Sequence, residues 1–433
     1  VPDPRLRLTA ATTWVPLLVV GGAFATLAVG LIAKASGAYW GAPAQPLVVF
    51  LRPALSTWAI PALAVLGLAL LAANRLRTAT VRPATFGAAL FGLTLITRLA
   101  VNVIRGGPDA LSTVFAVHAA GEGRTEYLAG LPFLGQGVGH FLRHFPDLVA
   151  GLPIQVAGHP PGLLLSIHLL GIDTPAGLAA LTILVGALAT PLLYLLAREL
   201  FAEAEARTAA LLFVFVPTSL LYGATSGDAL FATLGVAAAA ALLARRTGPR
   251  ILGAFLLAVA AFFSYALLAV GAWAALVRWR REGLGAAIRL AAICATVLVA
   301  AYVALDLATG FNLLSAIKAT DAKYYDGIAH LRPYAFWFFG SPAAYLLMLG
   351  PVAWFAARSL GAKEATAIAL AVVIAVSVIA GYTKAETERI WLFLVPFACL
   401  AAARSLSARR VPLVLAAACA QAVSVEILLF TKW

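Results

Sequence analysis

The chain has 433 residues, 63% of them hydrophobic and 11% charged, with a formal net charge of +13. Soluble domains run at about 45–50% apolar and about 25% charged residues, so a water-soluble globular protein is excluded. In a soluble chain the excess of Lys and Arg would suggest nucleic acid; here it reads as the charge bias of membrane loops, and no nucleic-acid partner is expected.

Apolar runs of about 18–22 residues recur from end to end, each long enough to cross about 30 Å of hydrocarbon. The first, Trp14 to Ala33, lacks a small-residue cleavage site and reads as a membrane helix, not a signal peptide. Basic clusters mark the inner ends: Arg5/Arg7, Arg75/Arg77/Arg82, Arg198/Arg207, Arg245/Arg246/Arg250, Arg278/Arg280/Arg281/Arg289, Arg358/Lys363 and Arg404/Arg409/Arg410. Between them, candidate spans start near Trp14, Ser56, Ala84, Ala176, Thr208, Ala229, Ile251, Tyr265, Ala286, Phe336, Ala365, Ile390 and Val411. That predicts an all-α polytopic protein of about thirteen transmembrane helices, N-terminus inside and C-terminus outside. The two spans from Ile251 to Val277 are short, with Phe262, Phe263 and Ser264 at their turn, which leaves the count open by about two. Cys294, Cys399 and Cys419 all lie in apolar runs, against a disulfide framework or a cysteine metal site.

Most of the acids fall outside or near the outer face, as do His118, His140, His144, His159 and His330. Working chemistry on that face is the simplest reason to gather them there. The longest polar stretch, 104–161, is too long to be a plain connection. Within it, Gly139 to Phe145 is amphipathic and suits a membrane surface. His140 and His144, spaced i, i+4, have no obvious third ligand, and no metal is expected. The prolines of His159-Pro160-Pro161-Gly162 fix the entry of an apolar helix too short to span.

Four constellations carry candidate chemistry. Asp109 and Arg124-Thr125-Glu126-Tyr127 follow the third span, where a carboxylate could serve as general base or stay a solvated loop acid. His159 could bind phosphate or orient a carboxylate. Pro217 to Asp228 forms a hairpin in which Asp228 opens the returning helix, as N-cap, site residue or both. Lys384-Ala385-Glu386-Thr387-Glu388-Arg389 puts four ionisable groups within six residues at a membrane edge, where they must be paired or used, and an arginine could clamp a lipid-linked phosphate. Asp321, Lys323, Tyr324, Tyr325 and Asp326 make a second polar outer loop suited to an acceptor, and Glu426 lies inside the last span.

The order and spacing of these elements resemble the GT-C class of membrane glycosyltransferases, closest to protein mannosyltransferases and aminoarabinose transferases and similar to actinobacterial arabinosyl- and mannosyltransferases. Glu126-Tyr127 stands where that family often has an Asp-Glu pair near a Tyr; His159-Pro160-Pro161, Pro217 to Asp228 and Lys384 to Pro396 are similar to later family elements. The match runs from about Ala84 to Val411 and rests on no single motif. The family's loop follows its first helix and here follows the third, which makes residues 1–82 an N-terminal two-helix addition to a catalytic core over 83–433.

The resemblance implies transfer of a sugar, mannose or arabinose, from a polyprenyl-phosphate donor to an envelope glycan or glycolipid on the outer face of the cell membrane, with no cofactor. Glu126 or Asp109 would be the base. Arg389, Lys384, His159, Arg105 and Arg98 would hold the donor phosphate; Tyr127, Asp228, Glu386, Glu388 and Tyr324 would meet substrate. A transporter or flippase of a lipid-linked substrate is the competing expectation. It calls for midplane charges and internal repeats, and neither is evident.

Overall fold

The structure is a computed structural model that describes residues 10–118 and 122–433; Arg5 and Arg7 lie outside the described residues. In chain order the main helices are α1 (Ala10–Ala35), α2 (Ala59–Thr78), α3 (Pro83–Gly106), α4 (Pro175–Leu200), α5 (Glu203–Phe215), α6 (Pro217–Tyr222), α7 (Asp228–Leu242), α8 (Thr247–Phe263) and α9 (Leu268–Glu282). They continue with α10 (Leu284–Thr309), α11 (Leu313–Asp326), α12 (Tyr334–Leu349), α13 (Pro351–Gly361), α14 (Ala365–Ala380), α15 (Thr387–Ile390), α16 (Val395–Ser405) and α17 (Val411–Leu428). The one sheet among the described residues pairs β1 (Phe50–Leu51) antiparallel with β2 (Leu429–Phe430).

Six of these helices are long and apolar enough to cross a membrane: α1, α2, α3, α4, α10 and α17. The bent pair α12–α13 makes a seventh if taken as one span. The protein is therefore an all-α, multi-pass membrane protein. The remaining expected spans fall on helices of 11 to 17 residues, such as α16 and α8. Local breakers shorten them. Pro217 separates α6 from α5, Gly350-Pro351 separates α13 from α12, and a 3-10 turn at Trp391–Leu394 precedes α16.

Burial sorts the helices. Side chains of α5, α6, α7 and α16 are almost all enclosed, so these form the centre of the bundle. The most apolar windows of α1 and α10 are only 17% and 11% buried, which leaves most of each helix to face lipid. α1 packs along α12 and α13, whereas α2 packs on α3, so the first two helices join different parts of the bundle.

Two polar side chains of α3 find partners inside the bundle, where hydrocarbon offers none. Arg98 of α3 is fully buried; its Nη1 donates to the Gly223 carbonyl (3.0 Å) and its Nη2 to Ser219 Oγ (2.9 Å). Asn102, one turn on, donates to the Leu220 carbonyl (2.9 Å). A Cβ at Gly223 would lie 2.4 Å from Arg98 Nε, so the close seating of that guanidinium depends on glycine.

The described residues of the 104–161 stretch fold into short helical turns packed on the protein, with Phe141 and Phe145 fully buried and Phe145 5.9 Å from the Phe311 ring. One loop expectation changes. The polar stretch Asp321 to Asp326 belongs to helix α11, capped by Asn312 on the Ser315 amide (3.0 Å), and is not a loop. The short helix after Pro160-Pro161 runs Gly162–Leu169, in keeping with its expected length.

Candidate functional site

Helices that alternate in direction bring every second terminus to one end of the bundle. The end of α3, the start of α7, the segment before α16 and the end of α17 meet in this way. Arg389 lies at their centre, 4% exposed. Its Nη1 donates to Asp228 Oδ2 at 2.5 Å and its Nη2 to Glu386 Oε2 at 3.2 Å, while the guanidinium lies 4.0 Å over the Trp433 ring. Ser226 Oγ donates to the same Asp228 oxygen (2.5 Å), and Arg332 Nη2 donates to Glu386 Oε1 (2.9 Å). Two carboxylates and two guanidiniums thus form one buried chain of ion pairs. In an apolar surround each charge persists only because the next one neutralises it.

The protonation balance follows from that arrangement. Burial alone would push Glu386 up, but Arg389 and Arg332 hold its carboxyl below the usual range. Burial would likewise lower Arg389, yet Asp228, Glu386 and Glu126 raise it. Asp228 is the first residue of α7 and makes no side-chain cap. The N-cap expectation is therefore corrected: its carboxylate turns to Arg389 and Ser226, because a buried guanidinium outcompetes a backbone amide as donor. Ala385 and Glu386 adopt φ of +67° and +60°, a conformation unfavourable for residues with a Cβ. Two such residues in succession aim Glu386 at Arg332 and Arg389, and strained backbone of this kind gathers at functional sites.

Glu126 and Glu388 are a second kind of acid. Both are 2% exposed and neither has an ion-pair partner within 4 Å among the described residues. Glu126 Oε1 accepts a 3.3 Å hydrogen bond from Trp433 Nε1. Burial, only partly offset by Arg389, raises its pKa to about 7. Glu388 Oε1 accepts from the Val48 amide at 2.7 Å, its Oε2 has no partner among the described residues, and burial likewise raises it to about 7. The loop from α1 to α2 thereby reaches the site, and its β1 pairs with the β2 strand that positions Trp433.

His159 and Tyr127 wall the same region. The His159 ring lies 5.0 Å from Phe231 and 6.3 Å from Tyr127, and burial lowers its pKa. In the neutral form its Nδ1–H donates to the Gln155 carbonyl (2.7 Å), which leaves Nε2 as an acceptor. Tyr127 is buried with its hydroxyl unpartnered among the described residues. The Pro-Pro-Gly turn seats this wall: a Cβ at Gly162 would lie 2.3 Å from the Phe262 carbonyl oxygen.

Other expected site residues do different work. Asp109 is exposed, and only its backbone carbonyl is engaged, by Thr113 Oγ1 at 2.7 Å. Arg98 braces the 219–223 turn, as above. Arg105 donates to the Arg52 carbonyl (2.5 Å) and stands 5.4 Å from the Phe430 ring, so it braces the strand that precedes Trp433. Lys384 Nζ reaches the Ala329 carbonyl at 3.4 Å. Tyr324 Oη accepts from the Lys384 amide (2.8 Å) and so holds the strained segment in place. His140 and His144 stack 4.5 Å apart, and among the described residues no three His, Cys, Asp or Glu side chains converge to hold a metal.

Sequence reasoning missed Arg332 and Trp433. Arg332 had a signal, since an arginine on an outer stretch runs against the positive-inside pattern. Trp433 had none, because its place depends on strand pairing between residues some 380 positions apart. The assembled centre can accept a proton at Glu126 and exclude water from it. No protein-family model and no curated protein matches the chain.

Proposed function

We propose that this protein is a membrane glycosyltransferase that moves a sugar from a polyprenyl-phosphate donor to a hydroxyl of an envelope glycan or glycolipid, on the outer side of the cell membrane. The observation that carries the reading is Glu126, a buried carboxylate with one neutral hydrogen-bond donor and a pKa of about 7, beside a buried guanidinium. A general base works best when its pKa lies near the working pH.

In the proposed step the acceptor oxygen attacks the anomeric carbon and its proton passes to a Glu126 oxygen. The bond from that carbon to the phosphate oxygen breaks, and the polyprenyl phosphate leaves with the electron pair. A single displacement inverts the anomeric centre. Arg389 Nε has no acceptor among the described residues and would meet the departing charge, with Lys384 adding a second cation. His159 Nε2 would accept from a sugar hydroxyl, and Trp433 would border the reacting groups. The donor's hydrocarbon tail has a suitable place in the apolar cavity of about 330 Å³ between α12, α13 and α14, which reaches Tyr345, itself 5.6 Å from Trp391. In this reading the chain crosses about thirteen times, with the short helices α5, α7, α8, α9, α14 and α16 completing the count.

The transporter reading draws support from one feature, the break of the α12–α13 span at Gly350, since broken helices are common in alternating-access proteins. Purified protein in lipid, given radiolabelled polyprenyl-phosphate sugars and envelope acceptors, decides between them. Transfer by the wild type that Glu126→Gln abolishes supports the enzyme. No transfer with any donor, together with movement of labelled lipid between leaflets, would replace it with the transporter.

A further inference from the structure

At the opposite end of α7 from Asp228, the turn into α8 meets the ends of α4 and α9 around a polar cavity of about 440 Å³. Arg245, Arg250, Arg278 and Arg281 line it, with Glu199 and Glu282. Four guanidiniums against two carboxylates leave an excess of two positive charges. The carboxylates serve few of them: Glu282 pairs with Arg278 at 2.6 Å, and Glu199 lies 4.0 Å from Arg245. Arg250 and Arg281 rest on backbone carbonyls, those of Ala244 (2.9 Å), Arg245 (2.7 Å) and Leu200 (3.1 Å).

A solvated basic edge explains exposed arginines but does not explain Arg278. Its side chain is 5% exposed; Nη2 also donates to the Ala244 carbonyl (3.3 Å), but Nε has no hydrogen-bond partner among the described residues. A buried donor without an acceptor is costly. Guanidiniums brought from separate segments offer several N–H groups to one multi-oxygen anion, and phosphate suits that fork geometry. Beside the cavity in sequence, Ile251 and Phe255 of α8, Trp279 of α9 and Leu284 and Ile288 of α10 are about half exposed, a surface on which acyl chains can lie. Basic pockets between membrane helices bind anionic lipid headgroups in this manner.

We infer that the cavity formed by Arg245, Arg250, Arg278 and Arg281 is a phosphate-anion site that takes the headgroup of an anionic phospholipid. It is independent of the glycosyl-transfer reading, because it lies at the other end of the bundle and its test needs no sugar donor.

The test uses the full chain in a detergent with an uncharged headgroup, titrated with phosphatidylglycerol, cardiolipin, phosphatidylcholine or inorganic phosphate. Bound lipid is counted by native mass spectrometry and stability is followed by thermal unfolding. Retention of phosphatidylglycerol or cardiolipin over phosphatidylcholine is expected, with apparent affinity about tenfold weaker in the Arg250→Gln/Arg281→Gln double variant and unchanged in Arg409→Gln. The double variant spares the buried Arg278, so a folding failure does not obscure the answer; Arg278→Gln is added if it folds. Stabilisation by inorganic phosphate alone, lost in the double variant, would uphold the anion site and reassign its source to soluble phosphate. Equal retention of both lipid classes, or retention unaffected by the double variant, would overturn it.

Discussion

The two ends of α7 make an informative contrast. The helix between them is fifteen residues long, about 22 Å at 1.5 Å per residue. At the Asp228 end, Arg389, Asp228 and their neighbours are enclosed, and each ion pair is fixed by the next. At the other end Arg245 is 88% exposed and water can do what carboxylates do at the first. Buried charge has to be organised; exposed charge does not. The organised end also holds two acids that the network leaves unneutralised, Glu126 and Glu388, and reactive carboxylates are to be sought among these.

If Glu126 is the base, Glu126→Gln is expected to slow transfer by about 10²–10⁴-fold with unfolding temperature preserved, read by single-turnover assay with labelled donor. Removing the centre of the network tests the other half of the contrast. Arg389→Gln leaves Asp228 buried without its cation and Glu386 with Arg332 alone, a cost of about 3–5 kcal/mol visible as a lowered thermal midpoint. A milder perturbation is pH. Glu126 works as base only when deprotonated, and its pKa is about 7. Activity should therefore rise with pH through neutrality, about tenfold between pH 6 and pH 8. A profile flat over that range would break the assignment.

Trp433→Phe keeps the ring against Arg389 and removes the N–H to Glu126. That hydrogen bond lowers the Glu126 pKa, so its loss should move the rising limb of the profile to higher pH without a large change in the plateau. The smallest effects are expected where charge is exposed. Asp109→Asn should leave transfer within about twofold, and Arg409→Gln, at the end away from the site, should change stability by less than about 0.5 kcal/mol. A strong loss from Asp109→Asn would return the base role to that residue.

How much of this was legible beforehand differs from residue to residue. Glu126, Asp228, Glu386, Glu388 and Arg389 could be singled out because acids and an arginine beside apolar runs are expensive there unless used. Their sorting into paired and unpaired groups could not be read, since Asp228 and Arg389 are 161 positions apart in the chain. Arg98 and Arg105 looked alike as basic residues near the end of α3, yet one braces the Gly223 turn and the other the C-terminal strand. Asp109 and Glu126 looked like equal candidates for base until burial separated them.

The sequence by itself determined the membrane, the helical class and the gathering of ionisable groups near one set of helix ends, because hydropathy and charge spacing act locally along the chain. Only the tertiary structure decided which charges cancel. That depends on distance in three dimensions and on exclusion of water, which arise when the start of α7, the segment before α16 and the strand after α17 come to rest around Arg389.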